Sequence, residues 1–292
     1  MSPRDEIRMD EPMSRHTTWR VGGPADRYYR PGGVAALAQH LAALPDDEPV
    51  TWIGLGSNLL VRDGGIRGTV VAPHLGLTGL TREGERGLRV EAGVACARLA
   101  KQCARHSIGP AAFFIGIPGT VGGALAMNAG AWGCETWDLV RSVETVDRSG
   151  ALRERAAEEY QVGYRSVTPP APGEWFVAAH LEFPEAGSTS EAEIRDLLAE
   201  RKAKQPIGLP SCGSVFTNPP GDHAARLIDS AGLKGLRIGG AQVSERHANF
   251  IVNTGDASAA DIEALIAEVR ARVHAAHGVD LVPEVHVVGE AA

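Results

Sequence analysis

The chain has 292 residues, of which 43% are hydrophobic and 22% charged. That balance excludes disorder as the main state and, at this length, points to two domains. With 36 acidic against 29 basic residues the formal charge is −7, which argues against a nucleic-acid binder. Thirty-five glycines exceed the usual ~7% without a collagen-like period, so they belong where backbone bends sharply or approaches a neighbour closely.

The N-terminal MSPRDEIRMDEP is charged throughout and shows no apolar core of a secretory signal. After a Pro-Gly-Gly stop, apolar spacing predicts a helix over Val34–Leu44. Strand-like runs follow at Pro49–Ile53, Thr69–Ala72 and Leu88–Glu91, then a helix over Cys96–His106 that ends before Gly109. From Ser107 to Cys134 no side chain is charged, but Pro110, Pro118 and seven glycines would break a membrane-spanning helix. That stretch reads as loops packed against a large ligand. Strands at Ser142–Val146 and Trp175–Phe183 lead to a small, polar linker, Pro184–Ser190.

Beyond the linker, Ser190 and Glu193 form a capping box for a helix that carries Ile194, Leu197 and Leu198 on one face. Asp222 is expected to cap Ala224–Ala231, and Ser258 with Asp261 to start a helix running to Gly278. Strands over Asn249–Asn253 and Leu281–Val288 bracket that last helix, so the second half reads as a compact α+β unit. The four cysteines (Cys96, Cys103, Cys134, Cys212) have no CxxC or Cys/His spacing. They read as reduced thiols of a cytoplasmic protein with no metal site.

Two glycine runs stand out. Ile53-Gly54-Leu55-Gly56-Ser57-Asn58 follows a strand, and its backbone N–H groups could converge on an anion while Ser57 and Asn58 add side-chain donors. Leu59 replaces the last glycine of the dinucleotide fingerprint, and no GxxxxGK[ST] occurs, so neither motif applies. A plain tight turn explains the first run equally well. The second, Gly116–Gly123 followed by Met127–Ala131, is denser. Together the two suit an extended ligand with a diphosphate, such as a dinucleotide, against the alternative of crowded turns in a β-rich core.

Taken in order, these segments resemble the UDP-N-acetylenolpyruvoylglucosamine reductases. The likeness runs through TTWRVGGPAD (Thr17–Asp26), GLGSNLLVRDGGIRG (Gly54–Gly68), GIPGTVGGALAMNAGAWG (Gly116–Gly133) and GYRSV (Gly163–Val167). It continues through CGSVFTNP (Cys212–Pro219), LIDSAGLKG (Leu227–Gly235), VSERHANFIVN (Val243–Asn253) and LVPEVHVVG (Leu281–Gly289). The resemblance implies an α+β fold: a two-lobed FAD-binding domain of the PCMH type over 1–186 (lobes about 1–72 and 73–186), then a smaller α+β substrate domain over 187–292. The spacing from Arg165 to Ser214 leaves no room for a long insertion, which corresponds to the shorter form of the family without a substrate lid. Thr217 stands where the family often has lysine, and Trp132 where tyrosine is common.

The chemistry implied is the cytoplasmic reduction of an enolpyruvyl ether on a sugar nucleotide to a lactyl ether, with NADPH as electron donor and FAD between them. Hydride added to the methylene carbon pushes charge onto the neighbouring carbon and its carboxylate, which must be steadied and then protonated. By resemblance Arg165 grips that carboxylate, Ser214 donates the proton and Glu284 is the catalytic glutamate. Glu284 should share a strand face with Val282, His286 and Val288 and have a raised pKa. Gly54, Gly56, Ser57, Asn58, Gly119, Thr120, Val121, Gly122 and Gly123 match the flavin-binding loops, and Lys204 and Asn218 match substrate contacts; Lys234 is a further candidate. His247 and Asn249 either face the cofactor or satisfy backbone groups, and Cys212 reads as a packing residue. A monomer is expected, with neither nucleic acid nor membrane as partner. Two other readings are an alcohol or sugar oxidase of the same flavin superfamily, and a binding module without turnover.

Overall fold

The computed structural model describes residues 5–185 and 187–292. Its contacts separate two compact units, each assembled from distant stretches of chain.

The first unit comprises the segment ending at Arg8, Tyr28–Gly54 and Val70–Glu200. Its frame is a five-stranded antiparallel sheet in the order Leu152–Ala156, Val140–Asp147, Glu174–Glu182, Gly87–Glu91, Leu80–Glu83. The middle strand is buried continuously from Val177 to Leu181, as expected of a strand covered on both faces. Helix α1 (Val34–Ala43) buries Leu37 and Leu41 in a cluster with Tyr29, Val71, Leu77, Val146 and Val177. Helix α2 (Cys96–Arg105) buries Cys96, Leu99, Ala100 and Cys103, the one-sided spacing of an amphipathic helix. These side chains pack with Phe113, Phe114, Val121 and Leu125 in the larger cluster, so the uncharged stretch after Ser107 becomes core. Within it lies α3 (Val121–Met127). Its two glycines lower intrinsic helix propensity by about 1 kcal/mol each, which hides it from a propensity reading.

The second unit comprises Met9–Arg27, Leu55–Thr69 and Arg201–Ala292. Helix α4 (Glu191–Lys204) has its residues to Glu200 in the first unit and Arg201–Lys204 in the second, and opens with Glu193 N–H donating to Ser190 Oγ at 3.1 Å. Helices α5 (Ala224–Ser230) and α6 (Ala259–His277) share a core with the antiparallel sheet Arg237–Ile238, Ala241–Val243, Ile251–Asn253. The Ser258–Asp261 capping box is present, and Gly278 closes α6 at φ +68°, the left-handed position that glycine occupies without strain. Asp63 accepts from both Ala259 and Ala260 N–H at 3.0 Å, and Arg62 forms a two-pronged pair with Glu263 at 2.9 and 2.7 Å. The charged half of the LLVRDGG segment is thus a helix anchor. Trp19, fully buried, donates Nε1–H to the Ile251 carbonyl at 2.7 Å.

Two expected elements differ. Helix α5 is entered at His223 with no side-chain cap from that residue; Ala224 N–H donates instead to Asn218 Oδ1 at 3.1 Å. Asp222 turns to its own neighbours, accepting from His223 N–H and Arg226. The strand expected over Leu281–Val288 forms a ladder only at His286–Val288, which pairs in parallel with Leu59–Val61. Before it, Pro283 has no N–H to give a ladder, and a single bridge links it to Phe216.

Candidate active site and cofactor loops

Gly54 and Thr120, one residue from each glycine run, meet in the first unit. A Cβ placed on Gly54 would lie 2.7 Å from Thr120 Oγ1, so only glycine lets the backbone come this close. Thr120 in turn caps α3, its Oγ1 accepting from Gly123 N–H at 3.3 Å. Gly56 sits at φ +62°, and a Cβ there would meet the His16 carbonyl at 2.1 Å.

The donors the loops offer can be sorted. Val121 N–H is bound to the Val94 carbonyl and Gly122 N–H to the Ala92 carbonyl, both at 2.8 Å. With Gly123 held by Thr120, these three N–H groups are engaged inside the protein, which corrects the expectation that this run offers them to a diphosphate. By contrast, among the described residues the N–H groups of Gly54, Leu55, Gly56 and Ser57, and of Gly119 and Thr120, donate to no protein acceptor. Successive open N–H groups on a left-handed turn form the kind of concavity that holds phosphate oxygens.

Arg165 is shaped by the same loop region. It sits at φ +53°, where few non-glycine residues rest. Its Nη1 donates to the Asn128 carbonyl at 3.1 Å and its Nη2 to the Gly130 carbonyl at 3.0 Å, while Tyr164 lies beneath the guanidinium at 4.9 Å. Asn128, buried and left-handed at φ +47°, donates Nδ2–H to Glu135 at 2.7 Å and to the Gly163 carbonyl at 3.1 Å. It also accepts from Trp137 N–H at 3.2 Å. Fixed carbonyls on two terminal nitrogens hold the fork in one plane, which a lysine ammonium could not reproduce.

Ser214 and Glu284 come together in the second unit. Glu284 N–H donates to the Val215 carbonyl at 2.8 Å, and Thr217 N–H donates to the Val282 carbonyl at 3.0 Å. The residue after Ser214 is therefore paired with Glu284 itself. Asn58 Nδ2 donates to the Glu284 carbonyl at 3.1 Å, and His286 N–H to the Asn58 carbonyl at 3.1 Å, so one flavin-loop candidate braces the acid's backbone. Gly213, at φ +83°, makes the turn that presents Ser214. Burial alternates as the period-two reading expects: Leu281 and Val285 are buried, Val282 and His286 exposed, and Glu284 half-buried, although Pro283 interrupts the ladder itself.

Comparison with known proteins fits this arrangement. Residues 205–288 match the model of the UDP-N-acetylenolpyruvoylglucosamine reductase C-terminal domain, and residues 25–155 match an FAD binding domain. A UDP-N-acetylenolpyruvoylglucosamine reductase from Alkalilimnicola ehrlichii is 63% identical, covering 98% of this chain and 96% of its own. The chain belongs to the UDP-N-acetylenolpyruvoylglucosamine reductase family. A second such reductase, from Methylococcus capsulatus, is 58% identical over 96% of this chain and 92% of its own. The crystal structure of the Thermus caldophilus reductase aligns with a TM-score of 0.79 at 33% identity, covering 97% of this chain and 98% of that one. The cofactor of the family member described here is FAD, and its fold is α+β, an FAD-binding domain with the reductase C-terminal domain.

Against the family pattern, Thr217 has turned its hydroxyl to the Val282 carbonyl at 3.3 Å, pinning the segment after Ser214. Trp132, at φ +50° and 41% exposed, donates Nε1–H to Glu200 at 3.1 Å and packs so near Gly116 that a Cβ there would meet its ring at 2.4 Å. Asn218 accepts from Ala224 N–H with Oδ1, leaving its Nδ2 as the donor end. Lys204 is exposed in the last turn of α4, beside Arg201 and Lys202. Lys234 is paired with Asp229 at 2.7 Å. Burial, and then the charge of Lys234, lower the His247 pKa, so this histidine favours the neutral form. Burial pushes the Cys212 thiol well above its ordinary value, and the charge of Glu284 adds to the rise; Cys212 is a packing thiol.

Proposed function

We propose that this protein reduces UDP-N-acetylglucosamine enolpyruvate to UDP-N-acetylmuramate, with NADPH as donor and FAD as cofactor, in peptidoglycan precursor synthesis. The observation that carries this is the 63% identity to a family reductase across 98% of the chain. FAD, when bound, supplies the hydride that it has taken from NADPH. Residues 1–186 are assigned to its binding and 187–292 to the substrate. The open N–H groups of Gly54, Gly119 and Thr120 would hold its diphosphate, and Gly56, Ser57 and Asn58 are assigned to FAD by the family resemblance. Val121, Gly122 and Gly123 would contribute by packing.

Arg165 would grip the substrate carboxylate as charge grows on it, with its plane already set by the Asn128 and Gly130 carbonyls. Ser214 would deliver a proton from Oγ to the carbon next to that carboxylate. A hydroxyl is a weak acid, so it protonates only a strongly basic centre such as an enolate carbon. Glu284, held through its backbone beside the Val215 carbonyl, would be the catalytic glutamate. Lys204 and Asn218 Nδ2 would contact the substrate. Among the described residues no helix is long and apolar enough to cross a membrane. A cytoplasmic monomer with only small-molecule partners completes the proposal.

The test is an anaerobic titration: bound flavin should bleach with NADPH and recolour on adding the enolpyruvyl sugar nucleotide. Ser214→Ala should spare the first half-reaction and block the second; equal loss of both refutes its role. Glu284→Gln should slow mainly the second, and an unaltered rate there removes it from the mechanism.

A further inference from the structure

The backbone that carries Ser214 is clamped from both sides. On one side, Glu284 N–H and Thr217 N–H tie residues 215–217 to 282–284. On the other side, the strand Ile251–Asn253 bridges to this segment only at Ser211, short of residues 215–216. In its place stands a single buried residue, Asn249, only 4% exposed. Its own carbonyl accepts from Val215 N–H at 2.9 Å. Its side-chain Oδ1 accepts from Phe216 N–H at 3.0 Å, and its Nδ2 donates to the Phe216 carbonyl at 2.8 Å. The carboxamide thereby copies both halves of a peptide group and acts as a one-residue strand.

Asn249 is itself rigidly mounted. Ser244, 4% exposed, accepts with its hydroxyl from Arg246 and His247 N–H at 3.2 and 3.3 Å. Phe250 N–H closes the turn on the His247 carbonyl at 3.0 Å, and Ser244 N–H is bound to the Phe250 carbonyl at 2.8 Å.

We infer that Asn249 is a positioning residue for the proton-delivery step: its carboxamide fixes the Val215–Phe216 backbone and so sets where Ser214 Oγ stands. The inference rests on the assignment of Ser214 as proton donor. It follows because the serine is followed at once by a doubly clamped dipeptide but preceded by Gly213 at φ +83°, the conformationally freest residue type. Misplacing a reacting group by about 1 Å can cost on the order of a hundredfold in rate.

The test uses full-length, FAD-loaded protein. Asn249→Asp keeps the acceptor to Phe216 N–H but loses the donor; Asn249→Ser loses both. Flavin reduction by NADPH should remain within about twofold of the parent, while reoxidation by the enolpyruvyl sugar nucleotide should fall by about ten- to a hundredfold, with KM for that substrate little altered. In the Ser214→Ala background, adding Asn249→Asp should slow reoxidation no further, since both act on one step. Reoxidation at the parental rate, equal loss in both half-reactions, multiplication of the two effects, or failure of both variants to retain FAD would each overturn the role. If Ser214→Ala alone reoxidises normally, the serine assignment falls and the positioning role with it. If Ser214→Ala is blocked while the Asn249 variants are normal, only the positioning role falls.

Discussion

Gly54→Ala isolates the contact on which the two cofactor loops meet. Gly54 is not at positive φ, so alanine is tolerated by the backbone, and the whole effect comes from the added methyl. That methyl would lie 2.7 Å from Thr120 Oγ1, well inside contact distance. Either the loops part or Thr120 turns away and releases Gly123 N–H. Overpacking of this kind costs about 1–3 kcal/mol, and loss of a threonine N-cap about 1 kcal/mol. If about 1–2 kcal/mol of this falls on the cofactor-bound state, FAD should bind roughly five- to thirtyfold more weakly. The assay is quenching of flavin fluorescence on titrating protein stripped of FAD. Thr120→Ala supplies the control: with the hydroxyl gone, the nearest remaining Thr120 atom is Cβ at 3.6 Å, an ordinary contact. Gly54→Ala should therefore cost almost nothing further in that background. Undiminished FAD affinity in the single variant, or additive losses in the double, would refute the reasoning.

Trp19→Phe removes a buried Nε1–H from the Ile251 carbonyl and should cost about 1–3 kcal/mol, read as a drop of several degrees in Tm. A melt within a degree of the parent would show that the carbonyl finds another donor. Glu174, its side chain 5% exposed, has its pKa lowered, first by the hydrogen bond from Arg155. A lowered carboxylate pKa adds stability above the unfolded value of about 4.3, and the gain is lost as pH falls through the folded value. Glu174→Gln should thus destabilise the protein at pH ~7 but hardly at pH ~3, giving a flatter acid limb in urea midpoints against pH. Equal destabilisation at both pH values would mean the charge is not what matters. Cys212, with its thiol pushed up by burial, should resist iodoacetamide near pH ~7.5 until the protein unfolds; rapid native labelling would contradict its burial.

Local pattern alone was enough for the elements whose signals lie within one turn or one strand. The helix over Cys96–His106, the Ser258–Asp261 box and the Gly278 stop rest on short-range interactions, and each is present to within a residue. The order of the matching segments likewise carried the family, and with it FAD. What the one-dimensional pattern could not supply is the destination of each polar group. Asn218 was expected to face the substrate, yet one end of its amide caps α5. Thr217 is committed to a carbonyl 65 residues away. Three of the glycine-run N–H groups are engaged, while those of Gly54 to Ser57 remain open. Asn249 lies 33 residues from the peptide group it completes. Hydrogen-bond satisfaction of buried groups is decided by which backbones meet, and residues 9–27, 55–69 and 201–292 meet only after the chain has folded back on itself.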